Sequence, residues 1–223
     1  MTGEKQENPK RKSGTAAGSR GPRGPYAKTR ATRAAIVSAA TTVFAADGFR
    51  SGSLRDIAVR VGMSEAGILH HFPNKVELLK EVLDTRDRRA QNLVLGERGD
   101  SDAEAILRGL VLLLREVQGE RAIVELHCQL GIEASNPDHP AYEYFVQHRS
   151  AGLDILVRAF AELHEQGRFK LPCDPAFAAN LVSCAVDGVQ IRWLHTPDEV
   201  DMADLIRETI DHLVDIDWTG VAE

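Results

Sequence analysis

A pair of short helical segments joined by a tight turn constrains the fold of this chain most. Ser53 stands three residues before an aspartate, which is the spacing of a capping box, and it predicts a helix over residues 54–61. A turn at Gly62 follows, Ser64 caps a second helix of about nine residues, and Pro73 must end it. Two short helices with an abrupt end to the second favour a helix-turn-helix.

Apolar residues at helical spacing continue on both sides of this pair and predict an all-α chain. Helix 1 should run from residue 27 to a stop at Asp47-Gly48, and helix 4 should open at an Asn74 cap. The last helix should open at residues 196–198 and carry Ile216. We therefore expect an N-terminal three-helix helix-turn-helix domain followed by a larger helical domain, with about nine helices in all.

Charge divides the chain into two opposite halves, although the formal net charge is only -6. Residues 1–75 carry 13 Lys and Arg against 5 Asp and Glu, whereas residues 76–223 carry 14 against 28. A basic head attracts a polyanion, and an acidic body repels it. This distribution favours a nucleic-acid partner for the head, and the alternative is a solvated surface with uneven charge.

Composition and short motifs exclude several other classes of protein. The longest aliphatic run, residues 110–114, is far shorter than the roughly 20 apolar residues of a membrane-spanning helix, and the first 30 residues lack the apolar core of a signal peptide. Three cysteines without a C-x-x-C pair favour neither a disulfide framework nor a structural zinc site. We therefore expect a soluble protein of the reducing cytoplasm.

Small residues dominate the surface that the second short helix leaves exposed. Once Ile68 and Phe72 are assigned to the core, the exposed positions are Ser64, Glu65, Ala66, Gly67 and His70. Small side chains let the backbone approach base edges, and an alanine methyl can contact the methyl group of thymine. The alternative is a short surface helix without a partner.

Residues 53–58, 61–64 and 68–75, with two leucines at 78 and 79, form a specific pattern that ends in His-Phe-Pro-x-Lys. This pattern resembles the N-terminal DNA-binding domain of the tetracycline-repressor-like (TetR) family, without a gap from about residue 28 to 83. Past residue 90 only the length and the number of helices resemble the family. The resemblance as a whole implies a transcriptional regulator, in particular a repressor, and not an enzyme. Such a repressor binds a palindromic operator in double-stranded DNA as a homodimer and is released by a small-molecule effector.

The resemblance also implies roles for individual residues in contact with DNA. It implies that Arg55 reaches a base, where an arginine can bridge O6 and N7 of guanine. Phosphate contacts are implied for the two capping residues and for the end of the motif, namely Ser53, Ser64, His71 and Lys75. Base contacts are implied for the start of the second helix, namely Glu65, Ala66 and Gly67. Leu69 departs from the usual tyrosine, so one phosphate hydrogen bond is lost, and His70 is expected to compensate.

Four segments follow from the pattern and the resemblance together. Residues 1–26, rich in Gly, Pro and basic side chains, are predicted to be a disordered tail that either contacts DNA as an arm or only adds solubility. We expect the helix-turn-helix domain at 27–75, a helical effector-binding and dimerisation domain at 76–217, and a C-terminal tail at 218–223.

Helices 8 and 9 carry more apolar residues than one flank of a monomer core requires. A two-fold dimer reads two half-sites, and the resemblance implies that these two helices pair with their symmetry mates in a four-helix bundle. The expected interface residues are Leu181, Val182, Ala185, Val189, Leu205, Ile206, Ile210 and Leu213. The alternative is that both helices belong only to the core of a monomer.

The resemblance further implies a cavity for the effector, enclosed by helices 5 to 7. Polar and aromatic groups on otherwise apolar helices are typical of such a pocket, and the candidates are His127, Cys128, Tyr142, Tyr144, His148 and Trp193. Each of them alone is more often a satisfied core or surface residue. We expect an effector there to shift helix 4, which joins the DNA-binding head to the body.

Two other function classes remain as alternatives. A helical hydrolase with Cys128 as nucleophile has no nucleophile elbow, phosphate loop, metal motif or cofactor motif to support it, and the histidines lack metal-ligand spacing. A DNA-binding regulator without a ligand is the second alternative. A fully packed core in the body would favour that alternative, whereas an apolar cavity would favour control by an effector.

Overall fold

The computed structural model describes residues 25–96, 102–219 and 221, and within these ranges the chain is all-α. The helices are α1 (Pro25–Ser51), α2 (Leu54–Val61), α3 (Glu65–His71), α4 (Lys75–Leu95), α5 (Ala103–Gln118), α6 (Arg121–Glu133), α7 (Tyr142–Glu165), α8 (Pro175–His195) and α9 (Met202–Leu213). The predicted N-terminal tail lies outside the described residues except for positions 25 and 26, which belong to α1. None of the described helices is long and apolar enough to cross a bilayer.

Local sequence sets the ends of the two short helices, as predicted. The Ser53 hydroxyl oxygen accepts a hydrogen bond from the backbone N–H of the third residue on, at 3.1 Å, and Gly62 ends α2 at a φ of 66° and a ψ of 35°. Ser64 caps α3 in the same way, at 3.1 Å from the Gly67 N–H. The helix closes at His71, two residues before the proline, because the residue that precedes a proline avoids the helical conformation.

The helical backbone of α1 breaks at Gly48 (φ 73°, ψ 170°), where the sequence predicted a stop, and one more turn then runs to Ser51, because the Gly52 N–H donates to the Gly48 carbonyl at 3.1 Å. The predicted start of the last helix is wrong. The ninth helix begins only at Met202, because the carboxylate of Asp201 accepts the Asp204 N–H at 2.9 Å and caps it. Residues 197–199 form a turn, and Ile216 follows the helix in a segment without regular secondary structure.

The α1 kink brings two helices into close contact. Gly48 has a positive φ, which requires glycine, and a Cβ there would displace only the flexible carboxylate end of the Glu133 side chain on α6. The Phe49 N–H donates to Glu133 Oε2 at 3.1 Å, and the Gln129 amide, oriented to donate to Ala45 O at 2.7 Å, accepts from the Gly48 N–H at 3.2 Å. These bonds join the end of α1 to the end of α6.

Two hydrophobic clusters organise the described chain. One is built on α1 to α4, and it also includes Leu126 and Leu130 from α6 and Phe145 from α7. The other joins α5 to α9 and includes Phe160 and Met202, both fully buried. We call α1 to α3 the head and α5 to α9 the body, with α4 between them. The head is therefore completed by side chains of the body.

The C-terminal segment also packs on the body. Trp218, predicted to lie in a tail, contacts the body cluster, and its Nε1 donates to Asp211 Oδ1 at 3.3 Å. The only β-type pairing among the described residues is an isolated antiparallel bridge between Phe169 and Val214. This bridge ties the chain after α9 to the loop after α7.

Candidate functional site

The candidate DNA-binding site consists of exposed residues of α2 and α3. Arg55, Glu65, Ala66 and His70 are exposed, and Leu69, which replaces the usual tyrosine, is 42% exposed beside them. Gly67 is half-buried, and a Cβ there would lie 3.0 Å from the end of a methionine side chain. Small side chains at the start of α3 leave room for a duplex to approach the backbone.

The two capping serines differ in whether the side-chain hydroxyl donates a hydrogen bond to a neighbouring carboxylate. The Ser53 hydroxyl donates to the carboxylate of Asp56, so Asp56 accepts this hydroxyl instead of reaching back to a backbone N–H. Ser64 is exposed, and its oxygen accepts from the Gly67 N–H. A phosphate at Ser53 would compete with the Asp56 carboxylate, whereas no acceptor among the described residues takes the Ser64 hydroxyl proton. Both phosphate contacts remain predictions, with Ser64 the better placed of the two.

Arg33 on α1 fixes the end of α3, a role that the sequence analysis missed. Its Nη1 donates to the His71 carbonyl at 2.6 Å, its Nη2 donates to Glu81 Oε2 at 2.6 Å, and its guanidinium lies 4.1 Å from the centre of the Phe72 ring. The half-buried His71 is thereby held between α1 and α4. In the sequence, the only sign of this role was that Arg33 stands one helical turn before an apolar residue.

Lys75 has a structural contact besides its predicted phosphate. Its Nζ donates to the Arg50 carbonyl at 3.1 Å and lies 4.6 Å from the centre of the Phe49 ring. Burial lowers the pKa of Lys75, against the opposing charge of Glu133. The ammonium group therefore ties the end of α1 to the start of α4, and its contact with DNA stays a prediction.

A cavity of about 510 Å³ lies in the body. Its walls come from α4 and α8 as well as from the predicted helices 5 to 7. One part of the lining is aliphatic and includes Val94, Leu95, Leu110, Leu113, Leu114 and Leu156. The other part is polar and includes Arg86, Asp87, His127, Tyr144, His148 and Asp187. This mixture matches an apolar pocket with a few orienting polar groups.

Three of the six residues predicted for the cavity line it, and three do not. His127, Tyr144 and His148 lie in the polar part, where ligand contact remains a prediction. For the other three the prediction is corrected. Cys128 and Trp193 pack with the body cluster, and Tyr142 opens α7 two residues before Tyr144, on another side of the helix.

Asp87 on α4 is the centre of a hydrogen-bonded group in the cavity. The Tyr144 hydroxyl donates to Asp87 Oδ1 at 2.7 Å, and His148 Nδ1 lies 3.3 Å from the same oxygen, with the two rings stacked. Burial opposes ionisation of Asp87, but the bonds from His148 and Tyr144 outweigh it and hold the carboxyl pKa below its usual value. Burial raises the pKa of Tyr144, so the phenol stays neutral.

His127 on α6 is buried and only partly satisfied. Its side chain is 9% exposed, its Nε2 lies 3.9 Å from Asp187 Oδ1, and its Nδ1 has no hydrogen-bond partner among the described residues. Burial, with the nearby charge of Arg86, lowers the pKa of His127 to about 4. Asp187 itself is paired with Arg149. The imidazole is therefore neutral at physiological pH.

The charged residues of the cavity were missed by the sequence analysis. Arg86 and Asp87 belong to a charge-rich stretch of α4, and such stretches usually form a solvated helix face. Asp187 is an isolated carboxylate within an apolar helix, which was the one available signal. The described residues include no group of three or more His, Cys, Asp or Glu placed to hold a metal ion.

The predicted dimer face is corrected for five of its eight residues. These five are buried in the core of their own subunit, because they lie on the inner sides of α8 and α9: Val182, Val189, Ile206, Ile210 and Leu213. Leu181 and Leu205 are 42% and 37% exposed, and Ala185 is half-buried. Phe177 and Ile191, at 60% and 45%, extend the exposed apolar face of α8.

Comparison with known proteins agrees with this architecture. Residues 36–82 match the family described as bacterial regulatory proteins, tetR family. The HTH-type transcriptional regulator SrpR of Pseudomonas putida is 37% identical over 174 residues, which cover 78% of this chain and 80% of SrpR. TtgR, an HTH-type transcriptional regulator of the same species, is 28% identical over 197 residues, covering 83% of this chain and 90% of TtgR.

A solved structure shows the same fold at lower sequence identity. SmeT, the repressor of the Stenotrophomonas maltophilia multidrug efflux pump SmeDEF, is known in complex with triclosan, and it aligns with a TM-score of 0.68 at 20% identity. The alignment covers 86% of this chain and 95% of SmeT. From the helix-turn-helix and the identity to SrpR it follows that the chain belongs to the TetR family of DNA-binding transcriptional regulators, and not to a class of enzymes.

Proposed function

We propose that this regulator is a repressor that binds a palindromic operator as a homodimer and is released by a small-molecule effector. One observation carries the proposal: α4 begins directly after α3, and its C-terminal half forms a wall of the cavity. A single helix is therefore in contact with both the DNA-binding end and the ligand-binding end. The relatives named above, one of them known with a bound small molecule, support the same function.

A second connection runs through α6. This helix carries His127 in the cavity and, less than two turns later, Glu133 against the kink of α1. Movement of α6 or α4 would change the distance between the two recognition helices of a dimer. Coupling between such sites is typically about 1–3 kcal/mol, and it requires an effector that prefers one of the two spacings.

Selection of bound duplexes from a random pool tests the proposed operator. The effector-free protein should enrich a two-fold symmetric consensus whose half-sites are separated by about one helical turn or a multiple of it. Enrichment of a single asymmetric half-site, or of no sequence at moderate ionic strength, would contradict a dimeric regulator.

The cavity favours control by an effector over a regulator without a ligand, since the body is not closely packed throughout.

Replacement of Arg55 should change which bases are preferred. Arg55 is exposed on α2 and has no partner among the described residues, so its guanidinium is free to reach a base edge. Arg55→Ala is expected to cost about 1–3 kcal/mol of operator binding and to relax the preference at one base pair in each half-site. The measurement is the binding of both proteins to a set of operators with single base-pair changes.

Arg60→Ala is the matched control, because it removes an equal charge from the other end of α2 at an exposed position. This variant should keep the same ranking of operator sequences even if all affinities fall together. A changed ranking for Arg60→Ala, or an unchanged one for Arg55→Ala, would show that the base contact has been assigned to the wrong residue.

The exposed stripe of α8 supports dimerisation. Phe177, Leu181, Cys184, Gly188 and Ile191 follow one another at alternating steps of four and three residues, and all five are exposed. Such spacing places them along one seam, as in paired helices. A two-fold symmetric interface contains the same seam from both subunits, so each of these residues would be buried in both copies of the chain.

A charge on this seam should separate the subunits. Leu181→Glu is expected to weaken the dimer by about a hundredfold or more, since two carboxylates would be desolvated at an apolar interface. Sedimentation velocity over a concentration series measures the change. Ile132→Glu is the control, because Ile132 is 70% exposed on α6, away from the seam. A dimer that resists Leu181→Glu, or that Ile132→Glu dissociates, would place the interface elsewhere.

A further inference from the structure

Gly152 on α7 forms part of the cavity wall with its backbone alone. It belongs to the residues that line the cavity, and it is exposed. The residues three and four positions before and after it share its side of the helix, and all four also line the cavity: His148, Arg149, Ile155 and Leu156. A side chain at this position would therefore point into the cavity.

No neighbouring side chain occupies the space in front of this glycine. Apart from its chain neighbours and its own helix backbone, no atom lies within 4 Å of a Cβ built on Gly152. At Gly131, inside α6, the side chains of Arg149 and Phe145 both lie 3.6 Å from such a Cβ. The missing side chain of Gly152 therefore adds its volume to the cavity.

Neither the backbone conformation nor the packing requires glycine here. Gly152 is not one of the glycines with a positive φ, and α7 continues through it to Glu165. Gly109 differs, because a Cβ there would overlap the backbone of α4. Glycine weakens the interior of a helix relative to alanine. A residue that weakens its own helix without a packing reason points to a functional role.

The wall around Gly152 suits an apolar ring system. Two of its neighbours on the helix surface, Ile155 and Leu156, are aliphatic. A third, Arg149, is already paired with Asp187, so it does not require a charged ligand. Aromatic rings bury a large apolar area, and a flat ring can lie directly on a helix backbone that carries no side chain.

We propose that Gly152 determines the size of the effector, by leaving room in the cavity wall for the broadest part of an apolar ring system. The inference rests on the effector release proposed above and adds the residue that selects among ligands by their width. A larger side chain at this position would occupy the same space. Broad ligands would then be excluded, whereas narrow ones would still bind.

Naphthalene and pyrene test this assignment on the full-length protein without DNA. Both are uncharged, rigid and fluorescent hydrocarbons, and pyrene is the broader of the two. Fluorescence titration gives the two dissociation constants, and the ratio of the pyrene emission bands reports whether that probe has left water. The wild type should bind pyrene more tightly than naphthalene, because pyrene buries more apolar area.

Variants of Gly152 should reverse this preference. Gly152→Leu and, separately, Gly152→Met should each weaken pyrene binding by roughly tenfold or more, since the added side chain overpacks the site. Naphthalene should bind as tightly as before or more tightly, and its binding shows that the variant is folded. Two variants keep the test valid if one of them fails to fold. Gly152→Ala adds a single carbon and should have a smaller effect than either.

Ser150→Leu is the matched control for the larger side chains. Ser150 is exposed on the same helix, two residues away, but it lies outside the cavity lining. This variant should bind both probes as the wild type does. A loss of pyrene binding in Ser150→Leu equal to that in Gly152→Leu would mean that the effect does not arise at the cavity wall, and it would overturn the inference.

Three further results would overturn it. They are an equal loss of naphthalene and pyrene binding in both large variants, pyrene binding that neither large variant weakens, or no binding of pyrene by the wild type. Operator selection uses protein without effector, so these results leave the DNA-binding proposal intact. Selection by size in a protein that selects no operator would instead refute the repressor and keep the role of Gly152.

Discussion

Gly109→Ala is expected to destabilise the chain by about 2–3 kcal/mol, the cost of overpacking a closely packed site. At Gly109, α5 lies against α4 so closely that a Cβ would overlap the Leu93 carbonyl oxygen and lie 2.8 Å from Val94 Cα. Both atoms belong to backbone, so they can yield only if the two helices move apart. Urea unfolding, followed by far-ultraviolet circular dichroism, measures the loss in free energy of unfolding.

Gly152→Ala provides the control for this prediction. Gly152 is also inside a helix, α7, but nothing lies within 4 Å of a Cβ built there. Alanine favours helix over glycine, so Gly152→Ala should be neutral or stabilising by up to about 1 kcal/mol. Equal effects of the two substitutions would mean that helix propensity decides both and that the contact between α4 and α5 is not tight.

Acid is expected to unfold the wild-type protein more readily than the His127→Phe variant. An unfolded histidine titrates near 6.5, whereas the pKa of buried His127 is lowered to about 4. Between these values the unfolded chain binds a proton that the folded chain does not, so stability falls as the pH falls through this window. The lost free energy reaches about 3 kcal/mol once the pH is at or below the folded pKa.

The difference between two pH profiles isolates this histidine from the carboxylates that titrate nearby. The free energy of unfolding is measured in urea from neutral pH to about pH 4 for the wild type, for His127→Phe and for Cys128→Ala. His127→Phe should lose about 3 kcal/mol less than the wild type over this range, and Cys128→Ala should follow the wild type. Parallel curves for all three proteins would show that His127 is protonated in the folded state.

Signals that act over three or four residues were sufficient to predict the head. The caps at Ser53, Ser64 and Asn74 each bond a backbone N–H three residues on, so the sequence alone determines where α2, α3 and α4 begin. The start of α9 was mispredicted because a proline and two aspartates in residues 197–201 offer several caps. Packing decides between them, since the fully buried Met202 is the first residue of the helix.

Tertiary contacts explain what the sequence did not predict. Leu181 and Val182 are neighbours and equally apolar, yet one is exposed on α8 and the other is fully buried, because successive residues of a helix point about 100° apart. Hydrophobicity alone cannot separate a subunit's own core from its dimer face. In the same way, Arg86 and Asp87 carry the signature of an exposed helix, and only the fold encloses them beside His127.

The shared core of the head has a consequence for transplanting DNA specificity between relatives. Leu126 and Leu130 of α6 and Phe145 of α7 complete the cluster around α1 to α4, and the Glu133 carboxylate of α6 accepts the Phe49 N–H at the end of α1. A chimera joined at the boundary between head and body would therefore combine core side chains from two proteins that do not fit each other, even if both parents fold well. Such a graft should carry the matching surface of α6 along with the reading helices. If an effector displaces α6 as proposed, these shared contacts would pass the displacement directly to the head.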